Sequence, residues 1–194
     1  AMAIAALAEG ESRLTEVLIA EDTAILARAL EAMGASLRSL GTEMLVSGTG
    51  GRLSRPAREI HLGNNGTAMR LLTGVASLGE GPTILTGDPR LRKRPLKPLL
   101  DALATLGVET RTEGGLGYPP VTIRGGHLRG AEVILHDIES SQYVSALLIA
   151  APFAAGEVAI VLTGRVPSLP YIALTVETMG AFGVGVALDG TGRY

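Results

Sequence analysis

The amino-acid sequence predicts a mixed α/β (α+β) fold assembled from three related units, each running helix, strand, helix, strand with a hairpin-like return. Three observations predict it. Glycine landmarks recur at steps of roughly seventy-odd residues, the mark of an internal repeat. Gly10, Gly79 and Gly156 follow apolar helices in "ALAEGESRL", "SLGEGPTIL" and "FAAGEVAIV", while Gly34, Gly107 and Gly183 end amphipathic ones in "LEAMGASL", "LATLGVET" and "MGAFGVGV". Two kinds of helix alternate, one apolar on nearly every side and one with a single wet face. The chain of 194 residues is 46% hydrophobic and 19% charged, the composition of a folded, core-forming protein.

The elements follow in order. The opening "AMAIAALA" has no basic residue ahead of it and runs into Glu9 and Glu11, so it does not read as a signal peptide. Ile25, Leu26, Leu30 and Met33 then recur at three- and four-residue steps, giving the first wet-faced helix. In the second unit "TAMRLLTGVASL" is apolar nearly all the way round, which is how a helix surrounded by protein reads. Leu96, Leu99, Leu100, Leu103 and Leu106 make its amphipathic partner. Gly107 stands where a helix C-cap is needed, and residues 108–126 form the return. In the third unit "YVSALLIAAPF" is again apolar throughout. The long oily stretch from Ser145 to Leu162 is broken by Pro152, Gly156 and Glu157 into a helix, a turn and a strand, which argues against a membrane span. The units divide at about 1–60, 61–130 and 131–194. By this spacing the first unit's helix starts a few residues ahead of Ala1, and the third stops at "GTGRY", where its return strand is due. The expectation is one domain cut inside its first and last units, a segment of a longer protein.

Composition excludes several classes of function. With no cysteine there is no disulfide framework, thiolate metal site or cysteine nucleophile, which fits a cytoplasmic protein. His61, His127 and His136 stand too far apart for a metal-ligand motif. A net charge of −2 and only four Tyr, two Phe and no Trp give little grip on nucleic acid.

Two buried helices begin with small polar residues: "GNNGT" from Gly63 to Thr67, and "ESSQ" from Glu139 to Gln142. Helix capping alone explains one such stretch. Repetition adds a second reading, because equivalent helix starts related by pseudo-symmetry converge on one face and sum their positive dipole ends, which suits anions. The run "GDPRLRKRPLKP" points the same way. It sets Arg90, Arg92, Lys93, Arg94 and Lys97 just before and at a helix N-terminus, where cations oppose the macrodipole. A solvated basic face is one account of it; a forked arginine contact to a carboxylate or phosphate is the other. At the matching place in the third unit, "GRVPSLPY" offers the hydroxyls of Ser168 and Tyr171 instead.

"LGNNGTAMRLL", "GDPRLRKRPLKPLLDAL", "SSQYVSALLIAAP" and "VPSLPYIALT", in this order and spacing, resemble the motifs of the 5-enolpyruvylshikimate-3-phosphate synthase family over essentially the whole chain. The resemblance implies one of that enzyme's two domains, built from three pseudo-symmetric βαβαββ units with buried helices, with substrates in the cleft between the domains. It implies transfer of the enolpyruvyl group of phosphoenolpyruvate to the 5-hydroxyl of shikimate 3-phosphate by addition and elimination, with no metal or other cofactor. Carried over residue by residue, Ser140, Ser141, Gln142, Ser168 and Tyr171 bind shikimate 3-phosphate. Asn64, Gly66, Thr67, Arg94 and Gln142 bind phosphoenolpyruvate, in a pocket that glyphosate also occupies as an inhibitor. Arg70 is expected to have a structural partner.

The departures are equally specific. The family's lysine, serine and arginine stretch falls ahead of Ala1, and the acid and base groups of the second domain are absent. Ala173 stands where the family usually has an aspartate, which puts the anchoring near Tyr171 in doubt. The isolated chain is therefore expected not to turn over substrate. Two alternatives stand beside this reading: a UDP-N-acetylglucosamine enolpyruvyltransferase-like domain, which usually presents a reactive cysteine that this chain lacks, and a non-catalytic binding or complementation module that needs a partner chain. Binding to nucleic acid or to a membrane is not expected.

Overall fold

The structure, a computed structural model, describes residues 1–194. Three helices form its interior: α1 (Met2–Leu7), α3 (Gly66–Ala76) and α5 (Gln142–Ala150). Every residue of α1 is buried, and so is every residue of α5 after Gln142. Their all-round apolar sequences demand this, since no face of such a helix gains by meeting water. α3 packs along α5 and also touches α1. The approach is closest at Gly74, where a Cβ would collide with the Ala146 carbonyl, so a side chain there is excluded by neighbouring backbone.

Outside this layer lie α2 (Glu21–Ala32), α4 (Lys97–Thr105) and α6 (Leu169–Ala181). All three end alike. Gly34, Gly107 and Gly183 have φ of 104°, 86° and 81°, and the next amide closes the turn: Ala35 on Leu30 (3.2 Å), Val108 on Leu103 (2.9 Å), Val184 on Met179 (3.0 Å). This is the Schellman arrangement, which needs a left-handed residue, a conformation that glycine adopts without strain.

The sheets repeat one pattern. β1 (Glu11–Leu14), β2 (Ser36–Leu40) and β3 (Glu43–Ser47) are ordered β1-β3-β2, all antiparallel. β4 (Ile60–His61), β5 (Gly81–Thr86), β6 (Glu109–Thr112) and β7 (Val121–Gly125) are ordered β4-β5-β7-β6. Here β4 and β5 run parallel while β7 pairs antiparallel with both neighbours. β8 (Glu132–His136) and β9 (Ala159–Thr163) form a parallel pair, and residues 192–194 lie antiparallel beside β9, with Ile160 and Tyr194 exchanging both backbone hydrogen bonds. In each case the strand that follows the buried helix is flanked by the return strand. Forty-six buried residues from all three segments make one connected core, so the segments share their hydrophobic stabilisation rather than folding apart.

Two expectations need correction. The third amphipathic helix, α6, buries only Ile172 and Met179 and leaves Leu169, Tyr171 and Leu174 exposed. The β-prone stretch after Gly183 forms no strand, because β9 is flanked on that side only by residues 192–194 and no further ladder exists for it to join.

Gly74→Ala should destabilise the chain by about 1–3 kcal/mol, the usual result of forcing a methyl into a closed contact. Urea unfolding measures it; an unchanged midpoint would mean that α3 and α5 do not meet as described.

Candidate functional site

The N-terminal ends of α3, α5 and α6 open on one cleft of about 520 Å³. Thr67, Ser140, Ser141, Gln142, Ser168 and Tyr171 line it, over apolar side chains that include Leu26, Leu71 and Ile149. The arrangement follows from the burial of the first helices. A helix packed on all sides can meet solvent only at its ends, and the positive dipole ends of α3 and α5 do so here.

Capping is divided differently from what the sequence suggested. Asn65, itself buried, caps α3: its Oδ1 accepts the Ala68 amide at 2.8 Å and its Nδ2 donates to the Asp22 carbonyl at 2.9 Å. On α5, Ser140 Oγ accepts the Gln142 amide at 3.3 Å. Thr67 and Ser141 cap nothing, which leaves the hydroxyls of both facing the cleft. On α6, Ser168 sits at a left-handed φ of 57° without capping, and Thr175 ties the first turn to α5 by bonding both the Tyr171 carbonyl and Ser145 Oγ at 2.8 Å. The Tyr171 ring is 65% exposed beside exposed Ala173, and its hydroxyl makes no protein hydrogen bond.

Gln142 joins the two buried helices. Its Nε2 donates to Thr67 Oγ1 at 2.9 Å, and its Oε1 accepts from an Arg70 terminal nitrogen at 2.9 Å. Arg70 also lies over the Tyr143 ring, 5.3 Å from its centroid, so its expected structural partner is present twice over.

The remaining residues gather beside the cleft rather than in it. A Cβ on Gly66 would strike the Arg94 guanidinium, so the first turn of α3 and this arginine are in direct contact. Within the basic run, Lys97 pairs with Asp101 and Arg92 Nε donates to the Gly87 carbonyl, whereas the Arg94 guanidinium makes no ion pair or hydrogen bond. Asn64 Nδ2 points to Asp88, 3.1 Å away. Thus Gly66 and Arg94 form one cluster and the serines, Gln142 and Tyr171 another, with Thr67 at the seam.

The sequence did not reveal what holds Arg94. The Tyr143 hydroxyl donates to the Pro95 carbonyl at 2.8 Å, with Glu139 Oε2 at 3.2 Å competing for the same proton. Burial pushes the phenol up to about 12, opposed in part by Arg70. A tyrosine inside an otherwise apolar helix was the available signal, because a buried phenol needs a partner. No three His, Asp or Glu side chains converge anywhere on the chain.

A family model described as EPSP synthase (3-phosphoshikimate 1-carboxyvinyltransferase) matches residues 1–194. The 3-phosphoshikimate 1-carboxyvinyltransferase of Methanospirillum hungatei is 46% identical over 190 residues, 98% of this chain and 44% of that protein. That of Methanothermobacter thermautotrophicus is 47% identical over 186 residues, 96% of this chain and 44% of its own. The structure of EPSP synthase from Acinetobacter baumannii superposes with a TM-score of 0.88 at 32% identity, covering 99% of this chain and 43% of that one. The chain thus spans less than half the length of these relatives.

A phenol with a raised pKa stabilises the fold below its unfolded value of 10 and loses that contribution as pH rises toward about 12. Tyr143→Phe should therefore flatten the fall in stability across this window by roughly 2 kcal/mol. Urea unfolding from pH 9 to 12 is the measurement, and parallel curves for the two proteins would show that the phenol is not held neutral by burial.

Proposed function

Because the chain belongs to the EPSP synthase (3-phosphoshikimate 1-carboxyvinyltransferase) family, matched over residues 1–194, we propose that it forms one substrate-binding wall of an enolpyruvyl transferase. In this reading the enzyme moves the enolpyruvyl group of phosphoenolpyruvate to the 5-hydroxyl of shikimate 3-phosphate in the cytoplasm. The chain is one domain made of units at about 1–60, 61–130 and 131–194. The observation that carries the proposal is the convergence of the hydroxyl-bearing starts of α3, α5 and α6 on one cleft, with unpaired Arg94 against α3 beside it.

Both substrates are polyanions, so each residue's part follows from charge and donors. Ser140 and Ser141 offer hydroxyls at the start of α5, where the dipole favours the phosphate of shikimate 3-phosphate. Ser168 and Tyr171 complete that site from α6. Asn64, Gly66, Thr67 and Arg94 receive phosphoenolpyruvate, the guanidinium offering two parallel donors to its carboxylate or phosphate. Glyphosate, an anion, is an inhibitor expected at the same place. Gln142, already bridging Thr67 and Arg70, keeps donor and acceptor capacity toward both ligands. These groups position the reactants and neutralise charge as the tetrahedral intermediate forms. Apart from Glu139, which is engaged by Tyr143, the cleft holds no carboxylate, lysine or histidine for proton transfer. Those groups belong, in this proposal, to a second domain of the enzyme. Neither alternative is favoured: the lack of cysteine weighs against the UDP-N-acetylglucosamine enzyme, and a purely binding module leaves the family match unexplained.

Calorimetric titration should show shikimate 3-phosphate binding to this chain, weakened about tenfold or more in Ser141→Ala, since a hydrogen bond to a charged group contributes about 1.5–3 kcal/mol. No heat at millimolar ligand would defeat the proposal for this chain. Incubated with both substrates, the chain alone should release no phosphate; release at a normal enzymatic rate would show that this wall also supplies the proton-transfer groups.

A further inference from the structure

The two segments that border the cleft from the third unit leave neighbouring parallel strands side by side. β8 ends at His136 opposite Thr163, the last residue of β9. Four residues past His136 the chain reaches Ser140, and five past Thr163 it reaches Ser168. Between these exits stands a cluster that the proposed binding roles do not use. The Asp137 amide donates to the Thr163 carbonyl at 3.1 Å, and Asp137 Oδ1 accepts the Arg165 amide at 2.6 Å. Its other oxygen, Oδ2, lies 3.0 Å from His136 Nε2, while His136 Nδ1 meets Thr163 Oγ1 at 2.9 Å. One carboxylate therefore holds the exit of β9 with one oxygen and its neighbouring imidazole with the other.

The backbone at Asp137 is one that few residues other than glycine adopt. Its φ is 47°, in the left-handed region that glycine occupies freely and that other residues enter only at some cost. Aspartate tolerates it better than most, yet glycine would be unstrained. The opposite residue, Gly164, also has a positive φ, 67°, and a Cβ on it would collide with the Asp137 carboxylate. The contact is thus closed from both sides. It adds little to the core, because the side chains of His136 and Asp137 are 67% and 59% exposed.

The second unit makes the same bridge by other means. There His61 stands opposite Thr86 and the Leu62 amide donates to the Thr86 carbonyl, as the Asp137 amide does to Thr163. The loop after β5 is then held by its Asp88 amide, which donates at 2.9 Å to the backbone carbonyl of Gly63. In the third unit the acceptor at this crossing is a side chain. A bond between strand exits recurs where each pair of binding segments begins, although the atoms that make it differ.

Resting on the function proposed above, we infer that Asp137 is a positioning residue. Its carboxylate locks the 164–168 loop to the turn before α5 and so sets the separation between Ser140–Ser141 and Ser168–Tyr171, the two sides of the shikimate 3-phosphate site. Asp137 touches no ligand itself. The ligand finds both sides already spaced, and loss of the lock leaves the α6 side to be ordered on binding.

Two variants of the full chain test this. Asp137→Gly keeps the backbone conformation and removes the acceptor, whereas Asp137→Asn keeps a carbonyl oxygen in its place. Hydrogen exchange followed by nuclear magnetic resonance should show the Arg165 amide exchanging at least about tenfold faster in Asp137→Gly and within about twofold of the parent in Asp137→Asn. Thermal midpoints of all three proteins should agree closely. Shikimate 3-phosphate affinity by calorimetry should fall severalfold in the glycine variant and be retained in the asparagine one. Unchanged Arg165 exchange in Asp137→Gly overturns the inference, as does equal affinity in all three proteins or equal loss in both variants. If the parent chain binds no shikimate 3-phosphate, the proposed function falls, and the exchange of Arg165 alone decides whether the lock exists.

Discussion

The cleft end of this chain depends on the packing of α3 against α5. Neither helix has a polar face, so each gains most by being enclosed, and Gly74 against Ala146 lets their backbones come close. Enclosure leaves the first-turn amides with no water along the helix flanks. They must be satisfied at the ends, by Asn65 on α3 and Ser140 on α5. The same confinement brings Thr67 within 2.9 Å of Gln142, so the two helix starts form one continuous surface. Packing in the core and polarity at the cleft are thus two results of a single arrangement.

Around that surface the chain arranges charge by supporting one arginine indirectly. Arg94 gains nothing from an acidic neighbour. Its loop is held instead by the Tyr143 hydroxyl on Pro95, by the Arg92 contact to Gly87, and by its own packing on Gly66. An unpaired guanidinium at a helix N-terminus is unfavourable until an anion arrives, because the helix dipole repels it. The same feature makes the position receptive. On the α6 side hydroxyls replace cations, which suits an end where exposed Tyr171 and left-handed Ser168 border open solvent.

Much of the fold was legible in the sequence because its determinants are local and periodic. The all-round apolar character of "TAMRLLTGVASL" and "YVSALLIAAPF" forced burial, and glycines 34, 107 and 183 marked three turns that only a left-handed residue can make. The parts that were missed depend on partners distant in the chain. Which of Asn64 and Asn65 caps α3 is decided by a contact to Asp22, and nothing near residue 143 announces that its hydroxyl meets Pro95. The exposure of α6 likewise follows from its packing, which is chiefly against α5, rather than from its own pattern. Within the candidate site, the sequence motifs carry the residues that the fold gathers in and beside the cleft, while their division into two clusters with Thr67 between them is decided by contacts distant in the chain.

The most direct test of the account is a titration of the isotopically labelled chain with shikimate 3-phosphate, following every backbone amide by nuclear magnetic resonance. Saturable shifts are expected at Thr67, at Ser140 to Gln142, and at Ser168 and Tyr171, where the starts of α3, α5 and α6 face one cleft. Shifts confined to another depression, such as the one bordered by Arg28, Arg58 and His61, would contradict the claim that these converging helix ends form the anion site.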